Sequence, residues 1–564
     1  MPSGNYKSLL AVAFLAVSTT VFAVEDIQQL QRRIEKKPIE PKATEKLLFP
    51  TIQAPLPPEQ ADKIRFVLRK IEIAGNTVYS QEELAYLYKP LLNTQVSLTD
   101  IYTVISKITA KYGSDGYGLS RAYLPAQQGD FQKDGIIKIG ILEGYIDDVI
   151  FDGSFQDNLE MLNSYKTKIL ANRPINTRTL ERYLLLANDL PGLLVTSTLT
   201  ASKVNPGAST LIFKVQDKKY GGFVSFDDRG TKNFGPFQST VGLSLENPFG
   251  IFSKTDFLYA NAGIDELNYY SLTHSQILNS EGTTFKASST HVESEPGSAV
   301  LRDIRQISQS FSFAVGLEQP IIRTRQTNLT AFTKFDFKDT EGLSLGEKIS
   351  NDKIRVFRLG TNFDYADVFS GINQAIFEYS HGMDVLGSIS QDSPLKTRAD
   401  GVINFDKATL SVTRTQQLGI FHQALSQFSL KVAFEGQYSL NPLLSGEECG
   451  VGGSQYGRGY DSSEILGDSC MTVNVEPQYL VPIQFKYLKY LQVYTFWDAG
   501  EAINRNPSPT NPRNQSLSST GGGFRVAFPH NVSSYFEIAQ PLDRIVASEG
   551  NKDTRFFANI ALSF

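Results

Sequence analysis

Two periods of hydrophobic and polar residues divide this chain. As far as residue 217, short apolar strands alternate with segments whose apolar residues recur at helical spacing. From residue 218 to 564 that period vanishes, and segments of roughly ten residues, rich in Phe, Tyr, Thr and Ser, recur between Gly, Asn, Asp and Pro clusters.

The first region holds one unit twice. LRKIEIAGN is matched by IDDVIFDGS, each a short strand ending in glycine, Gly75 and Gly153. In the first copy Ser80 and Glu83 form a capping box that opens a helix over QEELAYLYKPLL. A second helix puts Ile101, Val104, Ile105 and Ile108 on one face and stops at Gly113, and GLSRAYLPAQ and GIIKIGILEG follow as strands. The second copy keeps this order: a helix over NLEMLNSYKTKIL, one with Leu180, Tyr183, Leu184 and Ala187 on one face, then strands over GLLVTSTLTAS and STLIFKVQD. Each copy is therefore a βααββ unit with enough residues for one small core, over 61–143 and 144–217.

Residues 218–564, at about 22 residues per strand plus turn, accommodate about 16 antiparallel strands, an even number as in bacterial barrels. The last segment shows the alternation best. Phe556, Ala558, Ile560, Leu562 and Phe564 fall on one face and Phe557, Asn559, Ala561 and Ser563 on the other, the first suited to lipid and the second to a polar lumen. Only a closed barrel satisfies every backbone group of such strands inside a bilayer. A soluble β-sandwich or a secreted β-solenoid explains neither the terminal Phe564 nor the repeat ahead of it.

The N-terminus places the chain outside the cytoplasm. Lys7 precedes the apolar run LLAVAFLAVSTTVFA, with Val21 and Ala23 where a signal peptidase reads, so residues 1–23 are expected to be a cleaved secretory signal. The following EDIQQLQRRIEKK, within 24–37, carries Ile27, Leu30 and Ile34 at helical spacing. At about 13 residues such a helix is marginal alone and needs a surface to dock against. Residues 38–60 hold six prolines and read as an extended, semi-rigid linker. Beyond the signal no apolar run approaches the roughly 20 residues of a spanning helix. With a net charge of -5 and a mean hydropathy of -0.20, the mature protein is either soluble or crosses a membrane as strands.

Candidate chemistry narrows the picture. His274, His291, His381, His422 and His530 show no ligand spacing, so neither metal nor other cofactor is expected. No P-loop or GxGxxG precedes a helix, so no nucleotide site is indicated, and the slightly acidic balance does not suggest nucleic acid. GDSC at Gly467 and GGSQYG resemble hydrolase motifs without their structural context, and no enzyme is expected.

Cys449 and Cys470 bracket the glycine-rich stretch GGSQYGRGYDSSEILGDSC. A disulfide closing that loop would contribute about 3 kcal/mol in the chain-entropy model. In LQVYTFWDAGEA, the face of Leu491, Val493, Thr495, Trp497 and Ala499 suits lipid, which turns Gln492, Tyr494, Phe496, Asp498 and Gly500 inward. A carboxylate beside lipid would cost several kcal/mol, so Asp498 belongs in the lumen. If the tip of the glycine-rich loop folds back into the barrel, Arg458 between Gly457 and Gly459 is placed to pair with Asp498 in a bidentate fork. An external loop with a solvated arginine is the alternative.

The repeat resembles two polypeptide-transport-associated (POTRA) domains. GRGY resembles the VRGY/VRGF motif on the sixth extracellular loop of the POTRA-plus-barrel superfamily, and FWDAG resembles its FxDxG strand motif. The resemblance implies that Arg458, Gly459 and Tyr460 form the loop motif, that Phe496, Asp498 and Gly500 form the strand motif, and that the arginine meets the aspartate inside the pore. Gly457 stands where valine is usual. The whole arrangement resembles the two-partner secretion transporters (TpsB), exporters of haemolysins, filamentous adhesins or contact-dependent inhibition toxins. That resemblance implies a transmembrane β-barrel of about 16 strands in the bacterial outer membrane, two POTRA domains in the periplasm, and a plug helix that docks Ile27, Leu30 and Ile34 in the lumen. It implies as partners a large secreted protein bound unfolded, outer-membrane lipid, and the assembly machinery that inserts the barrel and reads its terminal phenylalanine. An assembly insertase usually carries more POTRA domains and no plug, and a passive porin needs no periplasmic domains.

Overall fold

The computed structural model describes residues 57–564 apart from 128, 154–159, 206, 265, 509 and 510. The expected signal (1–23), the helix carrying Ile27, Leu30 and Ile34, and nearly all of the proline-rich linker lie outside the described residues. The chain forms two compact units, the repeat region and the strand-rich region.

In the first copy Lys70–Ala74 pairs parallel with Ile136–Leu142, which pairs antiparallel with Arg121–Tyr123. Parallel pairing demands a crossover, supplied by the intervening helices. The helix Leu98–Ser114 opens on a capping box of Ser97 and Asp100 and buries Ile101, Val104, Ile105, Ile108 and Tyr112 against Ile71, Ile137 and Ile139. The helix expected over QEELAYLYKPLL is shorter: it spans Gln81–Ala85 from the Ser80/Glu83 capping box, and a separate 3₁₀ turn, Lys89–Leu91, carries Pro90. A proline has no N–H to donate and its ring clashes with the carbonyl four residues back, here that of Tyr86, which separates the two pieces. The second copy repeats the plan, Ile146–Asp152 lying parallel to Ser209–Asp217 and Leu193–Ala201 antiparallel to it, with helices Glu160–Ala171 and Thr177–Asn188. The matched glycines do one job in both copies. A Cβ on Gly75 would stand 2.3 Å from the Ile141 carbonyl oxygen, and one on Gly153 2.1 Å from that of Val215, each on the central strand.

Glu143 ties the first copy together. Its carboxylate accepts from the Thr77 amide (2.7 Å), the Val78 amide (2.9 Å) and the Tyr112 hydroxyl (2.8 Å), joining the loop after the first strand to the long helix. Burial pushes this carboxyl up, but these bonds outweigh it and hold it below the usual glutamate value. The unfolded chain then takes the proton first, so the stability contributed by Glu143 is complete above about pH 4.5 and is lost as pH falls from there through the lowered folded value. Hydrogen exchange of the full chain, read on the amides of Ile136–Leu142, is expected to accelerate as pH falls through that window once the intrinsic rate is subtracted. In Glu143→Gln that extra acceleration is expected to disappear.

The second unit is a closed barrel of sixteen antiparallel strands in chain order. The last strand, Arg555–Ser563, pairs with the first, Tyr220–Asp227, from Asn559 opposite Asp227 to Ser563 opposite Phe223. Phe564 completes the seam: its amide donates to the Gly222 carbonyl at 2.9 Å and its carbonyl accepts from the Gly222 amide at 3.0 Å. Closure leaves no unpaired sheet edge for lipid to meet. Outward positions carry exposed apolar side chains, Val493 and Trp497 on the strand Tyr490–Ile503 and Phe556, Ile560 and Leu562 on the last strand, while Tyr494, Phe496, Asp498 and Phe557 turn inward and are buried. At the end where the chain enters, turns such as 324–326 and 367–370 are short; at the other end the segments 383–405 and 440–468 are long. That asymmetry is the one expected of short periplasmic turns and long extracellular loops. Three consecutive strands, Ile307–Arg323, Thr327–Ser344 and Glu347–Ala366, far exceed the 9–11 residues that span a bilayer and raise one side of the wall.

Candidate functional site

The segment 440–468 joins the strands Phe428–Ser439 and Ser469–Leu480. It descends as a short hairpin, Cys449–Val451 paired with Ile465–Gly467, and the disulfide Cys449–Cys470 (Cα–Cα 6.2 Å) ties that hairpin to the neighbouring barrel strand. Its tip carries Gly457, Arg458, Gly459 and Tyr460 to the inner wall.

Arg458 is 4 % exposed and Asp498 0 %. The Arg458 guanidinium grips Asp498 as a fork, Nε to Oδ2 at 3.0 Å and Nη2 to Oδ1 at 3.1 Å, and the Arg458 amide also donates to Oδ2 at 3.0 Å. Phe496, two residues back on the same inward face, lies under the guanidinium with its ring centre 3.5 Å from Cζ. Planarity, a fixed fork and weak hydration suit arginine to this buried stacked site.

The pair sits in a larger network. Arg458 Nη1 donates to Glu476 at 2.6 Å and to Glu537 at 3.3 Å. Glu476 also accepts from Arg525 at 2.8 and 3.2 Å, and Glu537 accepts from Tyr494 Oη at 2.8 Å and from Arg229. Asn474 donates to Asp498 at 2.6 Å. Three guanidiniums thus meet three carboxylates, which brings the charge of the cluster to zero and is the condition under which buried ions are tolerated.

The rest of the tip is held by fit. Tyr460 is buried, and its hydroxyl accepts from the amides of Asp543 (3.3 Å) and Arg544 (3.2 Å) on the loop between the last two strands. A Cβ on Gly459 would meet the wall at Pro541 N (2.8 Å) and Ser519 Cβ (3.0 Å), and one on Gly500 would lie 2.5 Å from Val451 Cγ1 of the hairpin. Gly457 has φ +74°, a left-handed conformation in which a Cβ would come 2.7 Å from Leu517 Cδ1, so the valine usual in the motif would not fit this turn.

Of the residues singled out from the sequence, Arg458, Gly459, Tyr460, Phe496, Asp498, Gly500, Cys449 and Cys470 come together here, while Ile27, Leu30 and Ile34 lie outside the described residues. Glu476, Glu537, Arg525 and Arg229 were missed. A signal existed for Glu476, which shares an inward phase with Asn474 between the valines of TVNVEP. Arg229, in a loop, carries none.

Comparison with known proteins decides the class. Residues 207–526 match the family described as haemolysin secretion/activation protein ShlB/FhaC/HecB, and residues 66–144 match the ShlB-type POTRA domain. The chain belongs to this family. Among curated relatives, the transporter is 21 % identical over 545 residues to the heme/hemopexin transporter protein HuxB of Haemophilus influenzae (strain 86-028NP), covering 94 % of this chain and 93 % of that protein. It is 25 % identical over 248 residues to the outer membrane transporter CdiB of Dickeya dadantii (strain 3937), 43 % of each chain. Among solved structures, CdiB from Escherichia coli superposes with a TM-score of 0.72 at 18 % identity over 100 % of both chains, a likeness of fold. The transporter is therefore an outer-membrane two-partner secretion protein that exports a partner protein, with its POTRA domains in the periplasm.

Proposed function

We propose that this transporter exports one large secreted protein, an adhesin, haemolysin or contact-dependent toxin, bound unfolded in the periplasm. The partner's N-terminal segment adds as a strand to the POTRA sheets, whose margins, Lys70–Ala74 and Arg121–Tyr123 in the first and Ile146–Asp152 and Leu193–Ala201 in the second, are the outermost strands. Helix 24–37 leaves the lumen, the chain passes outward, and folding on the far side keeps it from slipping back, which supplies the drive without nucleotide. The Arg458–Asp498 pair, with Gly459, Tyr460, Phe496 and Gly500 fitting the tip to the wall, holds the loop in its conducting place, and the Cys449–Cys470 bridge keeps the hairpin on its strand. The observation that carries this reading is the charge-balanced network that seats a loop tip against the inner wall of the barrel. Outer-membrane lipid meets the exposed apolar belt, and the assembly machinery inserts the barrel.

Co-expression in a laboratory bacterium with the large exported protein encoded beside this chain is expected to place that protein in the medium only when the transporter is present. Its retention in the periplasm despite a well-inserted barrel would overturn the reading. Single-channel recordings with and without residues 24–37 test the plug, since conductance indifferent to the helix belongs to an open porin.

A further inference from the structure

The Arg458 network holds the loop's tip; a second buried cluster holds its base, and it also joins the neighbouring loops. Asp468, the last residue of the 440–468 loop, is 0 % exposed. Its Oδ1 accepts from Arg398 Nη1 at 2.6 Å and from the Leu443 amide at 2.7 Å, and its Oδ2 accepts from the Arg505 amide at 2.8 Å. Three long segments on the extracellular side, 383–405, 440–468 and the one after Ile503, therefore converge on one carboxylate. Arg398 also pairs with Glu448 and with Asp400 at 3.2 Å, so one guanidinium spans two loops.

The segment 383–405 folds onto the inner side of the wall above the lumen. Its Ile389, Ile403 and Phe405 pack with Leu443 and Leu444 of the neighbouring loop onto Ile354 and Val356 of the long strand Glu347–Ala366. Val356 and the inward Arg358 line a lumenal cavity of about 760 Å³, so this apolar packing covers inward-facing wall above it. Backbone bonds fasten the segment to the same strand: the Met383 amide donates to the Arg355 carbonyl at 2.8 Å, Ile389 to Lys353 at 3.0 Å, and Asn351 to Leu395 at 2.7 Å. The strands that rise beyond the bilayer's thickness give the lid this seat.

We propose that Asp468, Arg398 and Glu448 form an outer clasp that keeps 383–405 closed over the extracellular mouth, made of contacts distinct from those of the Arg458 latch at the tip of the same 440–468 loop. Arg398 and Asp468 are positioning residues for the gate. The exported chain meets the clasp as a barrier of its own, opened by contacts other than those that hold the Arg458 tip in its conducting place. None of the clasp residues takes part in the Arg458 network, so each is removable without the other.

Trypsin added to intact cells reads the clasp without reference to export, because Lys396 and Arg398 are its cleavage sites and both side chains are nearly buried, at 9 % and 10 % exposure. Cleavage after these residues, identified by mass spectrometry, is expected to be at least tenfold faster in Asp468→Ala than in wild type, and single-channel recordings of the full chain are expected to show more frequent open events. Arg458→Ala is expected to leave the segment protected. Heat-modifiable migration identifies folded barrels; where Asp468→Ala yields none, Glu448→Gln keeps the trypsin sites and supplies the same comparison with a smaller acceleration. Protection unchanged in the folded clasp variants, or equal exposure in Arg458→Ala, would overturn a separate outer clasp.

Discussion

Replacing Arg458 by alanine is expected to cut export per inserted barrel at least tenfold while the barrel still folds and inserts. Insertion survives because the strands satisfy one another through the closed ladder, to which Arg458 contributes nothing. The damage falls unevenly. Glu476 keeps Arg525, and Glu537 keeps Arg229 and Tyr494, but Asp498 is left with the Asn474 side-chain amide, the backbone amide of residue 458 and no guanidinium. Truncating one partner of a buried ion pair costs about 3–5 kcal/mol, chiefly through the charge left behind. At about 1.4 kcal/mol per tenfold, the docked tip loses a factor on the order of 10² to 10³ in its equilibrium. Two further variants separate this mechanism from general damage. Arg458→Lys is expected to rescue little, since an ammonium cannot fork Asp498 and reach Glu476 and Glu537 together. Asp498→Asn added to Arg458→Ala is expected to do no further harm, because it removes the orphaned charge, and the two effects are then far from additive. Normal export by a well-inserted Arg458→Ala barrel would remove the latch from the mechanism.

Gly459→Ala is expected to come close to the arginine variant while keeping every charge, with export per inserted barrel down about tenfold. The added Cβ would stand 2.8 Å from Pro541 N, 3.0 Å from Gln540 C and 3.0 Å from Ser519 Cβ, and the first two are backbone atoms of the wall. Such atoms move only with the ladder, so the tip withdraws. Overpacking of this kind costs about 1–3 kcal/mol, enough to pull the neighbouring fork out of alignment. Secretion normalised to heat-modifiable barrel is the measurement. If it equals wild type, close approach at Gly459 is not part of how the tip is held.

Both predictions rest on a site only partly legible along the chain. The phase of the strand Tyr490–Ile503 is plain, because lipid on one side and lumen on the other force a strict alternation that places Asp498 inward. The two glycine-ended strands of the repeat are plain for a similar reason: each glycine lies against a carbonyl of its central strand, a requirement that recurs with the unit. The loop-tip arginine was readable by resemblance to a known motif, and the unusual Gly457 became intelligible only from its left-handed backbone. The helix expected through Pro90 was too long because apolar spacing continued across a residue that interrupts the backbone.

What the sequence by itself determined are the periods: helical in the repeat, twofold in the barrel, with inward and outward faces assigned strand by strand. Those are local consequences of backbone geometry and of the two solvents a strand faces. Only the tertiary structure decided the company each inward charge keeps. Glu476, Asp498, Arg525 and Glu537 lie on four successive strands, Arg229 in the loop after the first strand, and Arg458 on a loop that enters from above. Asp468 likewise gathers Arg398, Leu443 and Arg505 from three loops. Neither set is close in the chain except through closure of the sheet and the return of long loops, so no period along the sequence records it, and burial makes the charge balance of each set matter.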